Sequence, residues 1–442
     1  MTNMIRLTAL LLTVFLLVSC TAVPAPTVPE ITETPTTAPT TTPTTAPTTV
    51  PTEEPTTAPT EPPEPEVEAS RILDGFTATV ADYDRSDTLG DGDIFTQVWI
   101  SAENVLTVCS KEPFSSLYLV WENEPGEYAI CWDGGSIACG QDYFLHEYVT
   151  FPEPVTRVEF VFPDEESRLI CDLFGYTKGY APADVQIWQP PCEEADILVF
   201  PTHADDDTLF FGPLIAYYAI ERQLTVQTAF MVHHRGYPER SHERLNGLWA
   251  MGVRHYPILG QAPDTATYDF QEAMAYYARS NIQDWQVEQI RRFKPLVVVG
   301  HDLNGEYGNA GHKVNAHFLT TAITAAADPQ QHPASAELYG TWQAPKLYLH
   351  LYRQNEWYLD VNTPMVNDPL GRTPFQAAED GFDAHKSQHK WWFYVQQDDN
   401  NRSCDCRPFG LYYTLVGYDT VADVMDNIDV SQWRTAPDLE EQ

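Results

Sequence analysis

The stretch from Ala195 to Asp207 reads ADILVFPTHADDD, an apolar run that passes without a break into an imidazole and three carboxylates. Ala195 to Pro201 has the continuous apolar character of a strand covered on both faces, as in parallel sheets. Beyond it Leu209 to Ile220 reads as a helix, Leu224 to Val232 as a strand, Glu243 to Met251 as a helix and Pro295 to Gly300 as a third strand. This alternation predicts an α/β unit with a doubly wound parallel sheet, in which functional groups gather beyond the carboxyl ends of the strands.

Two strand ends carry such groups. His203, Asp205, Asp206 and Asp207 follow the first, and the run from His301 through Asn304, Glu306, Tyr307 and Asn309 to His312 follows the third, with His312 opening a helix toward Ala327. Imidazoles and carboxylates on neighbouring strand ends can share a divalent ion, zinc above all or another divalent transition metal. By itself, an Asp run at a helix start serves equally as an N-cap favoured by the helix dipole. The second cluster on the same sheet is what turns the reading toward metal.

Upstream, Ser70 to Pro191 offers short β-branched and aromatic runs, such as Phe76 to Val80, Gln97 to Ile100, Leu117 to Trp121 and Tyr128 to Trp132. Turn residues such as Glu124-Pro125-Gly126 and Asp133-Gly134-Gly135 separate them, which predicts an antiparallel β-sandwich. Its aromatics Trp121, Trp132 and Trp188 read first as core and second as sugar-stacking surfaces. Nothing in this segment identifies a ligand.

The N-terminus is different in kind. An apolar run from Leu7 to Val18 ends at Ser19-Cys20, the pattern of a bacterial lipoprotein signal with Cys20 as the acylated residue. From Thr21 to Ala69 the chain is rich in Thr, Pro, Ala and Glu, repeats Thr-Thr-Ala-Pro-Thr from Thr36, Thr44 and Thr56, and holds no lysine or arginine. Such a segment is a disordered, extended spacer. The expected organisation is a signal peptide at 1–20, a linker at 21–69, a β-sandwich that could hold carbohydrate at 70–191, and the α/β domain at 192–442. The expected location is extracytoplasmic, with the membrane reached through the lipid anchor.

The net charge of −38 and the absence of basic clusters exclude nucleic acid as a partner. Besides Cys20 there are seven cysteines; in an exported chain some disulfides are expected, with Cys404 and Cys406 among them, and the odd number leaves at least one thiol unpaired.

The segments Thr202 to Asp207 (THADDD) and Gly305 to His312 (GEYGNAGH) resemble the two signature motifs of the PIG-L/LmbE-like deacetylases, A-H-P-D-D-E and G-E-Y-G-H-P-D-H. The resemblance runs from about Asp196 to the C-terminus. It implies zinc held by His203, Asp206 and His312, Asp205 as general base, Tyr307 as a stabiliser of the tetrahedral intermediate, and an N-acetylglucosamine-type sugar as substrate. Arg240 opens a segment similar to the family's R-x-x-E helix start and is implied as a substrate contact, with Asp264 as a second sugar-binding residue. Lys346 to His350 and His385 to Gln388 are similar to segments that the family carries late in the chain.

Two positions depart from the family. Asn309 stands where a histidine supports the oxyanion, and Gly311 where an aspartate orients it. An asparagine amide can donate a hydrogen bond to an oxyanion but cannot transfer a proton. The expectation is therefore a zinc-dependent sugar deacetylase in which Asn309 takes the oxyanion position. The alternatives are a catalytically weak or inactive surface carbohydrate-binding lipoprotein, and an envelope protein whose clusters only cap helices.

Overall fold

The computed structural model describes residues 67–398 and 402–434. The signal segment, Cys20 and the Thr/Pro-rich stretch up to residue 66 lie outside the described residues.

Runs of alternating apolar and polar residues build the first sheet. Its eight strands are β1 (Thr77–Val80), β2 (Tyr83–Asp84), β3 (Val98–Ile100), β4 (Leu106–Trp121), β5 (Tyr128–Trp132), β6 (Gly135–Cys139), β7 (His146–Val161) and β8 (Arg168–Tyr176). All pairings are antiparallel. The Asp133-Gly134 signal is a two-residue hairpin turn: Trp132 pairs with Gly135, and Gly134 takes φ 103°, open to glycine and costly for other residues. Where two facing sheets were expected, hydrogen bonds join these strands into one. The reason is the length of β4 and β7, 16 residues each, which carry the ladder past an irregular register between Cys109 and Ser116.

The second sheet comprises β9 (Ile197–Val199), β10 (Val226–His233), β11 (Ile258–Pro263), β12 (Val297–Gly300), β13 (Lys346–His350), β14 (Glu356–Tyr358) and β15 (Pro408–Thr414), in the order β11-β10-β9-β12-β13-β15-β14. The strands from β11 to β13 are parallel. The expectation of a parallel sheet needs correction at one edge, where β15 and β14 are antiparallel. Alternate residues of the central strands enter different cores. Ile197, Val199, Val297, Val299 and Tyr348 join Leu214, Leu245 and Phe382 on one face, whereas Leu198, Phe200, Val298, Leu347 and Leu349 join Ile290, Phe293 and Leu319 on the other. Helices thus cover both faces, and each fully buried aliphatic side chain contributes about 1.5–3 kcal/mol. Strand order reverses between β9 and β12, which opens a crevice at their carboxyl ends.

The helix expected over Leu209–Ile220 is broken. Asp206–Leu209 and Gly212–Ala216 are separate helices followed by a π-turn at Tyr217–Glu221. Pro213 cannot donate to the preceding turn and so restarts the helix. Gly212 is required by close approach, since a Cβ there would lie 2.7 Å from the Cβ of Ala378.

The two sheets belong to one compact unit. At their junction Phe144 stacks on Tyr256 at 4.7 Å, and the Leu145 amide donates to the Tyr256 hydroxyl at 3.1 Å. Beside them a buried hydrogen-bonded chain runs from the Tyr118 hydroxyl to His146 (2.6 Å) and on to His242 (2.9 Å).

The expected disulfides are absent among the described residues. Cys109, Cys131, Cys139, Cys171, Cys192, Cys404 and Cys406 are all free thiols. Cys139, Cys171, Cys192, Cys404 and Cys406 are buried and act as small apolar side chains, and burial pushes the Cys192 thiol up to about 12.

Candidate metal centre

Each of the five parallel strands ends in a polar group at the crevice: His203 and Asp206 after β9, His234 after β10, Asp264 after β11, His301 and Glu306 after β12, and His350 at the end of β13. His312 arrives on the helix Ala310–Ala325. Three donors converge among them. Nδ1 of His203 lies 3.2 Å from Nε2 of His312 and 3.3 Å from Oδ2 of Asp206, and Nε2 of His312 lies 3.2 Å from Oδ1 of Asp206. Bonds of about 2.0–2.1 Å to a tetrahedral ion put its ligands about 3.3 Å apart, so the two ring nitrogens, each meeting a different oxygen of the Asp206 carboxylate, are spaced to share an ion with it. All three residues are buried.

The outward nitrogen of each of the two converging imidazoles meets a carboxylate. Nδ1 of His312 lies 2.8 Å from Glu306, and Nε2 of His203 lies 3.4 Å from Asp264. An ionised carboxylate only accepts, so these nitrogens carry the protons and the opposite lone pairs turn toward the shared point. Glu306 also accepts from Nδ1 of His301 (2.8 Å) and of His350 (2.7 Å), all fully buried. Burial alone would raise its pKa, but the surrounding imidazoles, His301 foremost, hold Glu306 well below the usual carboxylate range. For His203, burial works against the charged ring, yet in the ion-free site Asp206 and Asp264 carry its pKa up to about 10, so a bound metal would have to displace one proton.

The N-cap reading of the Asp run fails on geometry. Asp205 occupies the N-cap position of the helix Asp206–Leu209 and makes no capping bond. Instead Asp206 turns back, its Oδ2 accepting from the amides of Thr202 (3.1 Å) and His203 (2.6 Å). Asp205 accepts from the Arg240 guanidinium at 3.2 Å, and its pKa is raised, by burial first, against the pull of Arg240. Asp207 is fully buried with neither oxygen paired, and burial raises its pKa well above the carboxylate range.

Arg240 lies in the helix Pro238–Ala250, which begins at a proline five residues ahead of the expected Glu243. Its Nη1 is buried without a hydrogen-bond partner, although Glu243 is 3.8 Å away. Glu243 in turn accepts from the amide (2.6 Å) and hydroxyl (2.7 Å) of Ser387, which ties the late His385–Gln388 segment to this helix. Asp264, expected to touch sugar, is half-exposed and sits between His203 and His234, 3.6 Å from the latter.

Asn309 has a capping role that its sequence position concealed. Its Oδ1 accepts from the amides of Gly311 (2.8 Å) and His312 (3.3 Å), starting the helix that presents His312. Its Nδ2 donates to the Tyr307 hydroxyl at 3.2 Å. Tyr307 holds φ 45°, a left-handed conformation unusual for an aromatic residue, and its ring packs edge-on to His312 at 5.6 Å. Burial raises its pKa, so the hydroxyl keeps its proton.

No protein-family model matches the chain. Over 172 residues it is 29% identical to 1D-myo-inositol 2-acetamido-2-deoxy-alpha-D-glucopyranoside deacetylase 2 of Saccharopolyspora erythraea, covering 33% of this chain and 61% of that protein. Over 98 residues it is 33% identical to the 1D-myo-inositol 2-acetamido-2-deoxy-alpha-D-glucopyranoside deacetylase of Rhodococcus jostii, covering 22% of this chain and 32% of that one. The chain is similar to sugar deacetylases. It spans less than two thirds of the length of these relatives. Among solved structures, N,N'-diacetylchitobiose deacetylase from Pyrococcus horikoshii aligns with 46% of this chain and 74% of its own at 14% identity and a TM-score of 0.34.

Within this sugar-deacetylase-like region the reading by motif passed over Glu306, His301 and His350 as site residues. Glu306 and His301 stood inside the quoted cluster, and their signal was the density of ionisable groups after one strand. His350 ends a wholly buried strand, where an imidazole needs a polar partner.

Proposed function

We propose that this chain is a zinc-dependent hydrolase that removes acetyl from N-acetylglucosamine-type sugars. The observation that carries the reading is the convergence of His203, Asp206 and His312 at 3.2–3.3 Å, with a buried Asp205 beside them. These residues would hold zinc or another divalent transition ion, which would supply the Lewis acidity that polarises an amide carbonyl and brings the pKa of water toward neutrality.

The chain's own groups do the rest. Asp205 takes a proton from the attacking water and returns it to the departing amine. Arg240 orients Asp205 through one nitrogen and offers a sugar hydroxyl a second, which lies 3.8 Å from Glu243 and makes no hydrogen bond. Tyr307 donates its retained proton to the developing oxyanion, and Asn309 acts by holding that hydroxyl. The test is acetate release from N-acetylglucosamine and its oligomers by metal-reconstituted protein. Release that depends on metal and is lost in Asp205→Asn, with metal retained, supports the reading, and release insensitive to chelation overturns it.

The second reading is a surface carbohydrate-binding lipoprotein with little catalysis. It is favoured by Asn309, whose amide nitrogen is committed to the Tyr307 hydroxyl and cannot transfer a proton as a histidine would. Sugar binding without acetate release is its signature. In both readings the Leu7–Cys20 pattern supports a lipid anchor at Cys20 that holds the protein outside the cytoplasm, testable by radiolabelled palmitate incorporation that Cys20→Ala abolishes.

A further inference from the structure

A cleft of about 850 Å³ lies between the two sheets, walled by Glu122, Asp142 and Tyr143 on one side and by His234, Arg235 and Arg244 on the other. Its walls are pinned together by the Phe144–Tyr256 stack and the His146–His242 hydrogen bond, so the cavity is preformed. Through His234, whose Nε2 lies 3.6 Å from Asp264, the cleft adjoins the metal centre.

Two of its deepest side chains have unmet hydrogen-bonding capacity. His234 and Arg244 are 6% and 2% exposed, and both ring nitrogens of the one, with Nε and Nη1 of the other, have no hydrogen-bond partner among the described residues. Buried donors of this kind are costly unless something satisfies them. At the rim Tyr143 is 50% exposed and held at φ 59°, so a tight turn displays an aromatic ring that the core does not use.

The charges select the occupant. A polyanion would meet the carboxylates of Glu122 and Asp142, and a polycation the guanidiniums of Arg235 and Arg244. A neutral polyhydroxyl ligand satisfies both walls, since each hydroxyl donates and accepts, and its ring can lie against Tyr143. We propose that this cleft binds further sugar residues of a neutral oligosaccharide whose N-acetylated unit occupies the metal centre. The inference rests on the deacetylase reading and extends it to a chain-length preference contributed by the β-domain.

The experiment compares acetate release from N-acetylglucosamine and from its β-1,4-linked tetramer, using the full chain and the variants Tyr143→Ala and Glu122→Gln. The ratio of kcat/KM for tetramer over monosaccharide should fall about tenfold with loss of the aromatic face. An unchanged ratio in both variants overturns the proposal. Calorimetric binding of the tetramer to Asp205→Asn separates the two readings. Binding that Tyr143→Ala weakens supports the cleft even where the unsubstituted, metal-loaded chain releases no acetate, an outcome that removes only the deacetylase reading. Binding that neither cleft substitution alters removes the cleft.

Discussion

Nδ1 of His203 and Nε2 of His312 lie 3.2 Å apart although 109 positions separate the residues in the chain. Two imidazole nitrogens brought this close, with Asp206 completing the triangle, make sense as ligands of one ion. Replacing His312 by alanine should abolish zinc binding, as read by elemental analysis after reconstitution, while Asp264→Asn should weaken it without abolishing it. Full zinc content in His312→Ala would remove the site from consideration.

Asp205 touches Arg240 rather than a helix amide. Asp205→Asn should therefore leave zinc content and thermal stability close to wild type while kcat falls by about 10²–10⁴-fold, the usual contribution of a general base. Acetate release measured beside metal content on the same preparation checks both halves.

Glu306 accepts from three buried imidazoles. Glu306→Gln preserves size but offers only one acceptor oxygen, and should weaken metal affinity about 10–100-fold, as loss of an outer partner does. Glu306→Ala strands those imidazoles and should cost on the order of 3–5 kcal/mol of stability. Competition with a zinc-sensitive dye and denaturant unfolding measure the two effects.

Tyr307 and Asn309 should separate by substitution. Tyr307→Phe removes only a hydroxyl and should lower kcat roughly 10²-fold with little change in unfolding. Asn309→Ala removes the cap of the Ala310–Ala325 helix and should cost about 1 kcal/mol of stability as well as activity. Equal loss of stability in both variants would contradict this division of labour.

The buried pair at the junction of the sheets should make the fold acid-sensitive. Burial holds His146 well below the ordinary imidazole range and lowers His242 to about 4, so both rings are neutral when folded. The unfolded chain binds more protons below pH about 6.5. The stability this contributes is thus full above that pH and lost as pH falls through about 4. An unfolding midpoint measured between pH 7 and pH 4 should drop, and the drop should shrink in His242→Phe; an equal drop in the variant would assign the sensitivity elsewhere.

Part of the candidate site was legible because its imidazoles and carboxylates directly follow strand ends, and a buried strand such as Ala195 to Pro201 announces itself by composition. The helices Phe270–Tyr276, Ile282–Phe293, Pro333–Tyr339 and Pro374–Asp383 were not read, nor was the antiparallel edge of the sheet. Strand direction at an edge is set by pairing partners far apart in the chain. The free thiols follow the same logic, since pairing depends on spatial meeting and not on count.

Read alone, the chain determined which residues stand at strand ends and therefore which donors are available: His203, Asp205, Asp206 and His312. Only the tertiary structure decided where each ring nitrogen points, that Glu306 and Asp264 hold the outward ones, and that Asn309 caps a helix. Covalent order sets what a residue can donate or accept, whereas hydrogen-bond direction depends on groups delivered by other strands, and no local pattern carries that information.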